Sequence, residues 1–374
     1  MKTTATITFH ASHNYGSMLQ AYALQQTLLS LGVSNEIINL RTPVQRGMYP
    51  NPASVSDRGL KHRVKKVLNA VLFPGATRQL MEKYKAFENF IDSNYVLTEE
   101  VGEIAADSSL AKRFDYYITG SDQCWNTRCS DFDWAYYLDF TNSPNKIAYA
   151  ASMGPVSHVN QAEGIKARLG QFKAISAREA GTADTIASLC HARPEILPDP
   201  TLLLSQDRWR ELAGSKPLIE GPYVFLYTPY KKADVVEIAI KVSKILGMPI
   251  VVSNFTSLKK DYFVLKRNGA IFRLDVGPRE FLNLIANARV VVSGSFHALV
   301  FSMIMHVPFW AVNGDNDNRM KQLLTKYGFK GRAIHIDDVE DKINDVPSFE
   351  LSDSVIKAEK DRAISFLRDS LDLY

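Results

Sequence analysis

Short runs of β-branched and aromatic residues alternate along this chain with longer segments of helical periodicity. Ala5 to Phe9 is the first short run, closed by the polar turn His10-Ala-Ser-His-Asn14. From Tyr15 to Leu31, the residues Leu19, Tyr22, Ala23, Leu24, Leu28 and Leu31 recur at helical spacing, and Gly32 ends the helix. Val33 to Leu40 returns to strand. A strand–loop–helix–strand unit of this kind is the building block of a parallel sheet. Phe114 to Thr119, Lys146 to Ala150 and Phe172 to Ser176 read as further strands of the same half. The last leads through Ala177-Arg178-Glu179 into a helix running to about Ala187.

Pro198-Asp-Pro200 and the run Thr201 to Leu204 mark a rigid turn into a new unit. Beyond it the alternation repeats. Tyr223 to Tyr227, a helix from Ala233 to Leu246, and Pro249 to Val252 come first. The helix Pro278 to Ala286 then precedes the strand Arg289 to Val292, followed by a helix from Ala298 to His306 and the strand Pro308 to Val312. The pattern predicts an α/β protein of two Rossmann-like domains facing a cleft, over residues 1–204 and 205–352. A final amphipathic helix, about 353–374, is expected to cross back onto the first domain.

Residues 41–60 are rich in Pro, Gly, Asn and Ser and read as irregular. The following segment, 57–73, is basic and amphipathic, with Arg58, Lys61, Arg63, Lys65 and Lys66 beside Leu60, Val64, Val67, Leu68, Val71 and Leu72. It is a candidate for peripheral contact with an anionic membrane surface, or a solvated helix face over a core stripe. Composition narrows the classes. With 46% hydrophobic and 22% charged residues over 374 positions, the chain is an ordinary globular protein with ample core. A net charge of +4 argues against a nucleic-acid partner. Three cysteines argue against a disulfide framework, and no targeting or spanning segment is legible, so the expected location is the cytoplasm.

In doubly wound sheets, ligands sit outside the carboxyl ends of the strands. There the first half delivers Asn14, Tyr15, Gly16 and Ser17, then the loop Gly120, Ser121, Asp122, Gln123, Cys124, Trp125 and Asn126, then Arg178. Gly120 and Ser121 would let backbone amides approach a ligand, and Asp122, Gln123 and Asn126 would bond a polyhydroxylated or anionic substrate beside Trp125 as a stacking wall. Arg178, at a strand-to-helix junction, can hold a carboxylate or phosphate in a bidentate fork. Each has a structural alternative: Asn14 as a helix cap, 120–126 as a polar turn, Arg178 as a surface pair with Glu179. In the second half, Ser293-Gly-Ser-Phe-His297 sets His297 at a helix start as a candidate base or acid, with Ser295 beside it. Arg319, after a polar loop, is a candidate cation or a solvated first-turn residue. His306 reads as structural, and a cysteine enzyme built on Cys124 is a weak third idea. The histidines show no paired ligand spacing, so no metal is expected.

Taken together, five stretches resemble the polysaccharide pyruvyl transferase family. They are Asn14-Tyr-Gly-Ser-Met-Leu-Gln-Ala-Tyr-Ala-Leu24, Gly120-Ser-Asp-Gln-Cys-Trp-Asn126, Ser176-Ala-Arg-Glu179, Asp199-Pro-Thr-Leu-Leu203 and Ser293-Gly-Ser-Phe-His-Ala298. The resemblance runs in order over about residues 5–330, and its specificity comes from the set. It implies a glycosyltransferase-B-like fold, phosphoenolpyruvate as donor substrate with no cofactor, and a saccharide acceptor, free or lipid-linked, at the inner face of the membrane. The reaction implied attaches pyruvate as a cyclic ketal to a sugar of an exopolysaccharide or its precursor and releases phosphate. Arg178 matches the family's donor-binding Arg, and His297 the His of its Arg-Leu-His motif, in which Ser295 and Phe296 here replace Arg and Leu. By that resemblance His297 acts as base on a sugar hydroxyl or acid toward the leaving phosphate, and Asp122 orients the acceptor or shares the proton transfer. The alternatives are a nucleotide-sugar-dependent glycosyltransferase and a non-catalytic sugar- or anion-binding protein.

Overall fold

A computed structural model of the chain describes residues 1–51, 73, 75–154, 161–230, 234–254 and 258–374. The chain divides into two compact units, one of residues 1–50, 91–204 and 357–374, the other of 51–90 and 205–356. Each is built on one six-stranded, all-parallel sheet.

The first sheet has the order β2-β1-β3-β4-β5-β6, from β1 (Thr3–Ile7), β2 (Ser34–Ile37), β3 (Tyr116–Thr119), β4 (Lys146–Ala151), β5 (Ala174–Ala177) and β6 (Glu195–Ile196). β3 and β4 are buried along their whole length. That is why Tyr116–Ile118 and Ile147–Ala151 read as apolar runs: parallel strands are covered by helices on both faces. The winding direction reverses between β1 and β3, so the ends of those two strands form the switch point where such sheets bind ligands.

The second sheet has the order β12-β11-β10-β7-β8-β9. Its strands are β7 (Val224–Tyr227), β8 (Ile250–Val252), β9 (Ile271–Phe272), β10 (Val290–Ser293), β11 (Phe309–Val312) and β12 (Ala333–Ile334). Here the reversal falls between β7 and β10.

Two stretches depart from, or refine, the expected division. Residues 51–90, expected in the first domain, belong with the second. Their described part shows why: Phe73, Ala76 and Leu80 pack with Tyr262 and Leu274, and Gln79 accepts a hydrogen bond from the Leu274 amide at 3.0 Å. The final helix, Glu350–Ser370, passes from the second unit into the first, where Ala363, Leu367 and Leu371 join Leu24, Leu28, Ile118, Ile147 and Tyr149 in one apolar cluster. Leu367 is fully buried, which contributes about 2 kcal/mol. Of the basic segment proposed for membrane contact, 57–72 lies outside the described residues. Among those described, no helix is long and apolar enough to cross a membrane.

Candidate functional site

At the switch point of the first sheet, the turn after β1 feeds the helix Tyr15–Ser30. Asn14 is its cap, its side chain accepting from the Gly16 amide at 3.0 Å, as the alternative reading had it. Tyr15 and Gly16 are buried in the first turn. Ser17, one turn position further, reaches across to β3, and its hydroxyl donates to Asp122 Oδ2 at 2.5 Å.

The loop after β3 is held by backbone constraints that only certain residues satisfy. Gly120 has φ +117°, and a Cβ there would meet the Tyr149 carbonyl oxygen at 2.1 Å, so glycine is required. Ser121 is fully buried; its amide donates to Gln20 Oε1 at 3.0 Å and its hydroxyl to the Ala150 carbonyl at 2.6 Å. Gly120 and Ser121 therefore seat the loop on the sheet; their amides are not turned toward a ligand. Trp125 is corrected in the same way. It is 1% exposed, stacks on Tyr137 at 4.8 Å, and donates through Nε1 to the Tyr136 carbonyl at 2.9 Å. A buried indole needs such a partner, and the aromatic turn Trp134–Tyr137 supplies it. Trp125 walls the core and offers no face to a sugar.

Gln123 and Asn126 engage each other, Asn126 Nδ2 donating to Gln123 Oε1 at 2.9 Å over Gly154, whose added Cβ would approach both within 2.8 Å. Asp122 itself is left-handed, at φ 63°, a conformation costly for a residue with a side chain. Its carbonyl accepts from the Ser152 amide at 3.0 Å, and the Trp125 amide donates to the Ser152 carbonyl at 3.2 Å, joining the β3 and β4 loops.

Arg178 follows β5 and points into this group. Nη1 lies 3.4 Å from Asp122 Oδ1 and 3.2 Å from Asp199 Oδ2, and Nε lies 3.4 Å from Glu179 Oε2. Its side chain is 9% exposed, so the pairing with Glu179 exists but is not on the surface. Burial alone would lower the guanidinium's pKa, yet the charges of Glu179, Asp122 and Asp199 hold it raised. Glu179 is the partner expected from adjacency, and Asp199 joins it from a turn distant in sequence. Asp199 Oδ1 accepts from the Thr201 amide at 3.0 Å and the Thr201 hydroxyl at 2.8 Å, and Glu179 accepts from the Thr182 hydroxyl. The flanking prolines of Asp199 were the available signal. One buried guanidinium thus gathers three carboxylates, one of them also bonded to a serine, where the β1, β3 and β5 ends converge. Nη1 and Nε are already engaged by carboxylates, so an anion reaches Arg178 where one of them gives way, and Asp122 is the carboxylate placed to accept a hydroxyl proton.

The second unit carries the remaining candidates near the β7–β10 reversal. Ser293 donates to the Tyr227 carbonyl at 2.5 Å and its hydroxyl accepts from the Ser295 amide at 3.0 Å. Ser295 caps the helix Phe296–Ile304, its hydroxyl accepting from the Ala298 amide at 3.4 Å. His297 lies in the first turn, half-buried, edge-on to Phe296 at 5.3 Å. Arg319 is 39% exposed with Nε 3.9 Å from Asp317 Oδ1, a solvated first-turn residue. His306 bonds Asp353 at 2.9 Å and stacks on Phe349, which is structural. Burial pushes the Cys124 thiol up to about 12, leaving no thiolate for a nucleophile. Among the described residues, no cluster of His, Cys, Asp and Glu is arranged to hold a metal ion.

None of the curated proteins matches the chain by sequence. Solved structures resemble it in fold. UDP-N-acetylglucosamine 2-epimerase from Rickettsia bellii aligns at a TM-score of 0.56 with 11% identity, over 100% of this chain and 97% of that one. The corresponding epimerase from Neisseria meningitidis, bound to UDP-GlcNAc, aligns at 0.53 with 9% identity over 99% of both chains. Anabaena HepE in complex with UDP and glucose aligns at 0.53 with 8% identity, over 99% and 100%. These likenesses fix a glycosyltransferase-B-like pair of Rossmann-like units. The family model that matches is that of polysaccharide pyruvyl transferase, over residues 14–316, from the cap of the first helix past His297 and short of Arg319. The chain is a transferase belonging to the polysaccharide pyruvyl transferase family.

Proposed function

We propose that the chain transfers a pyruvyl group from phosphoenolpyruvate to two hydroxyls of one sugar, as a cyclic ketal, with release of phosphate. The observation that carries this reading is the chain of contacts Ser17–Asp122–Arg178, which sets a proton acceptor beside a buried cation at a sheet's switch point. The donor carries a carboxylate and a phosphate, which the guanidinium fork of Arg178 suits. The first sugar hydroxyl adds to C2 of the donor, giving its proton to Asp122, while C3 takes a proton from a water molecule to become the methyl group and Asp122 returns its proton to the hydroxide so formed. Phosphate then leaves C2 and the second hydroxyl adds there, its proton balancing the phosphate. His297 is assigned the acid or base role in that second half-reaction. No cofactor enters the scheme. Gln123 and Asn126 remain candidates for acceptor hydroxyls.

Glycosyl transfer from a nucleotide sugar is the second reading, favoured by HepE of the same fold, whose structure holds UDP and glucose. Thermal denaturation with each candidate donor separates the two. Stabilisation by phosphoenolpyruvate and none by UDP supports pyruvyl transfer; the reverse pattern overturns it. A lipid-linked acceptor would bring the chain to the inner face of a membrane, with 57–73 as the contact. Salt-sensitive co-sedimentation with anionic vesicles supports that part, and its absence removes it.

A further inference from the structure

Three carboxylates surround Arg178, but they are not held alike. Asp199 is 2% exposed, lies between Pro198 and Pro200, and starts the short 3-10 turn Pro200–Leu203. Thr201 binds one of its oxygens twice, at 3.0 and 2.8 Å, which leaves the other aimed at Arg178 Nη1 at 3.2 Å. Proline restricts the backbone on either side, so this carboxylate has little room to move. Asp122 is divided between Ser17 at 2.5 Å and Arg178 at 3.4 Å, the longer contact being the one to the cation. Glu179 also stands off at 3.4 Å and is tied to Thr182. The Arg178 amide donates to Ala151 at 3.2 Å, fixing the backbone but not the long side chain. An arginine that must meet a planar carboxylate or a phosphate needs its fork set before the ligand arrives.

We infer that Asp199, clamped by Thr201, is a positioning residue for the transfer reaction: it is the permanent counter-ion that sets the Arg178 fork for the anionic donor. Asp122 is the partner that loosens when the donor binds. The inference rests on the reading of Arg178 as a donor ligand.

The test is calorimetric titration of the full chain with phosphoenolpyruvate, with far-UV circular dichroism to confirm folding. The variants are Asp199→Asn, Thr201→Val, Arg178→Lys and the double variant Asp199→Asn/Arg178→Lys. Asp199→Asn is expected to weaken binding about tenfold, the loss of one charge-assisted contact. In the Arg178→Lys background the same change adds nothing, because the fork it positions is gone. Thr201→Val keeps the carboxylate and removes one clamp; about threefold weakening is expected, and this variant carries the test if Asp199→Asn does not fold. Wild-type affinity in Asp199→Asn and Thr201→Val, with Arg178→Lys weakened, overturns the inference and leaves the donor reading standing. Additive losses in the double variant overturn it too, since they describe general destabilisation. Equal binding by wild type and Arg178→Lys, or none by wild type, overturns the donor reading and the inference with it.

Discussion

Ser17 and Asp122, 105 residues apart in sequence, share a hydrogen bond of 2.5 Å across the ends of β1 and β3. The bond exists because the sheet reverses its winding there, so that two loops leave neighbouring strands in opposite directions and open a gap between them. Asp122 reaches it only by taking a left-handed backbone, φ 63°, held by the Ser152 amide. A left-handed residue between a hydroxyl and a guanidinium is a position to test for function.

Asp122→Asn is therefore expected to lower kcat for phosphate release about a hundredfold, since it keeps the shape and removes the proton acceptor. Ser17→Ala should cost about tenfold, acting through the orientation of Asp122. A kcat for Asp122→Asn within threefold of wild type would remove it from the chemistry.

Much of this was legible in sequence, and the remainder failed for identifiable reasons. The β1–helix–β2 unit, the strand expected over 146–150, the helix Pro278–Ala286 and the placing of Asp122, Arg178 and His297 after strand ends followed from periodicity and punctuation. The switch points did not, because parallel pairing is set by contacts distant in sequence. The same gap hid the convergence of Asp199 on Arg178, whereas Glu179, adjacent in sequence, was readable as its partner. Trp125 misled because a polar loop surrounds it, while its partner Tyr137 lies in a separate aromatic turn. Ser295 gains a local meaning from the fold: its hydroxyl accepts from the Ala298 amide, a bond that a side chain with donors alone could not make.

That cap gives a stability prediction. Ser295→Arg should destabilise the chain by about 1 kcal/mol, lowering Tm by about 3 °C, whereas Ser295→Asp should be neutral within measurement. Equal melting of the two variants would show that the cap contributes nothing.

Gly120→Ala is expected to cost about 3 kcal/mol or more, because φ +117° and the Tyr149 carbonyl at 2.1 Å leave no place for a methyl group. Gly181→Ala, in the helix Ala180–Cys190 and open around its Cβ position, serves as the control and should not destabilise. Chemical denaturation of both variants decides.

The C-terminal segment supplies a pH-dependent prediction. Tyr116 donates to Asp372 at 2.5 Å, and Lys173 bonds the same carboxylate at 2.6 Å. Burial and the Asp372 charge raise the Tyr116 phenol to about 12 from 10.0. Its pKa being raised by folding, the phenol adds stability that is complete below pH 10 and lost as pH rises through about 12. Hydrogen bonds from Lys173 and Tyr116 lower Asp372, so its contribution is present above the ordinary carboxylate range and lost as pH falls through the lowered value. Tyr116→Phe should flatten the alkaline fall in stability and Asp372→Asn the acid one. Unchanged limbs in both variants would show the lock to be unimportant.

Native alkylation with iodoacetamide at neutral pH should leave Cys124 unlabelled by peptide mapping, since burial holds its thiol near 12. Cys124→Ala should retain phosphate release within about twofold. Labelling of Cys124 with loss of activity would reopen a thiol mechanism.

The central claim is pyruvyl transfer from phosphoenolpyruvate to a saccharide, and one assay addresses it directly. The full chain is incubated with phosphoenolpyruvate and a panel of free and lipid-linked saccharides, following phosphate release and the methyl signal of the product by NMR. The account predicts acceptor-dependent phosphate release, one phosphate per ketal methyl formed, lost in Asp122→Asn and His297→Ala. Phosphate release that proceeds equally in both variants, or glycosyl transfer from a nucleotide sugar with none from phosphoenolpyruvate, would contradict it.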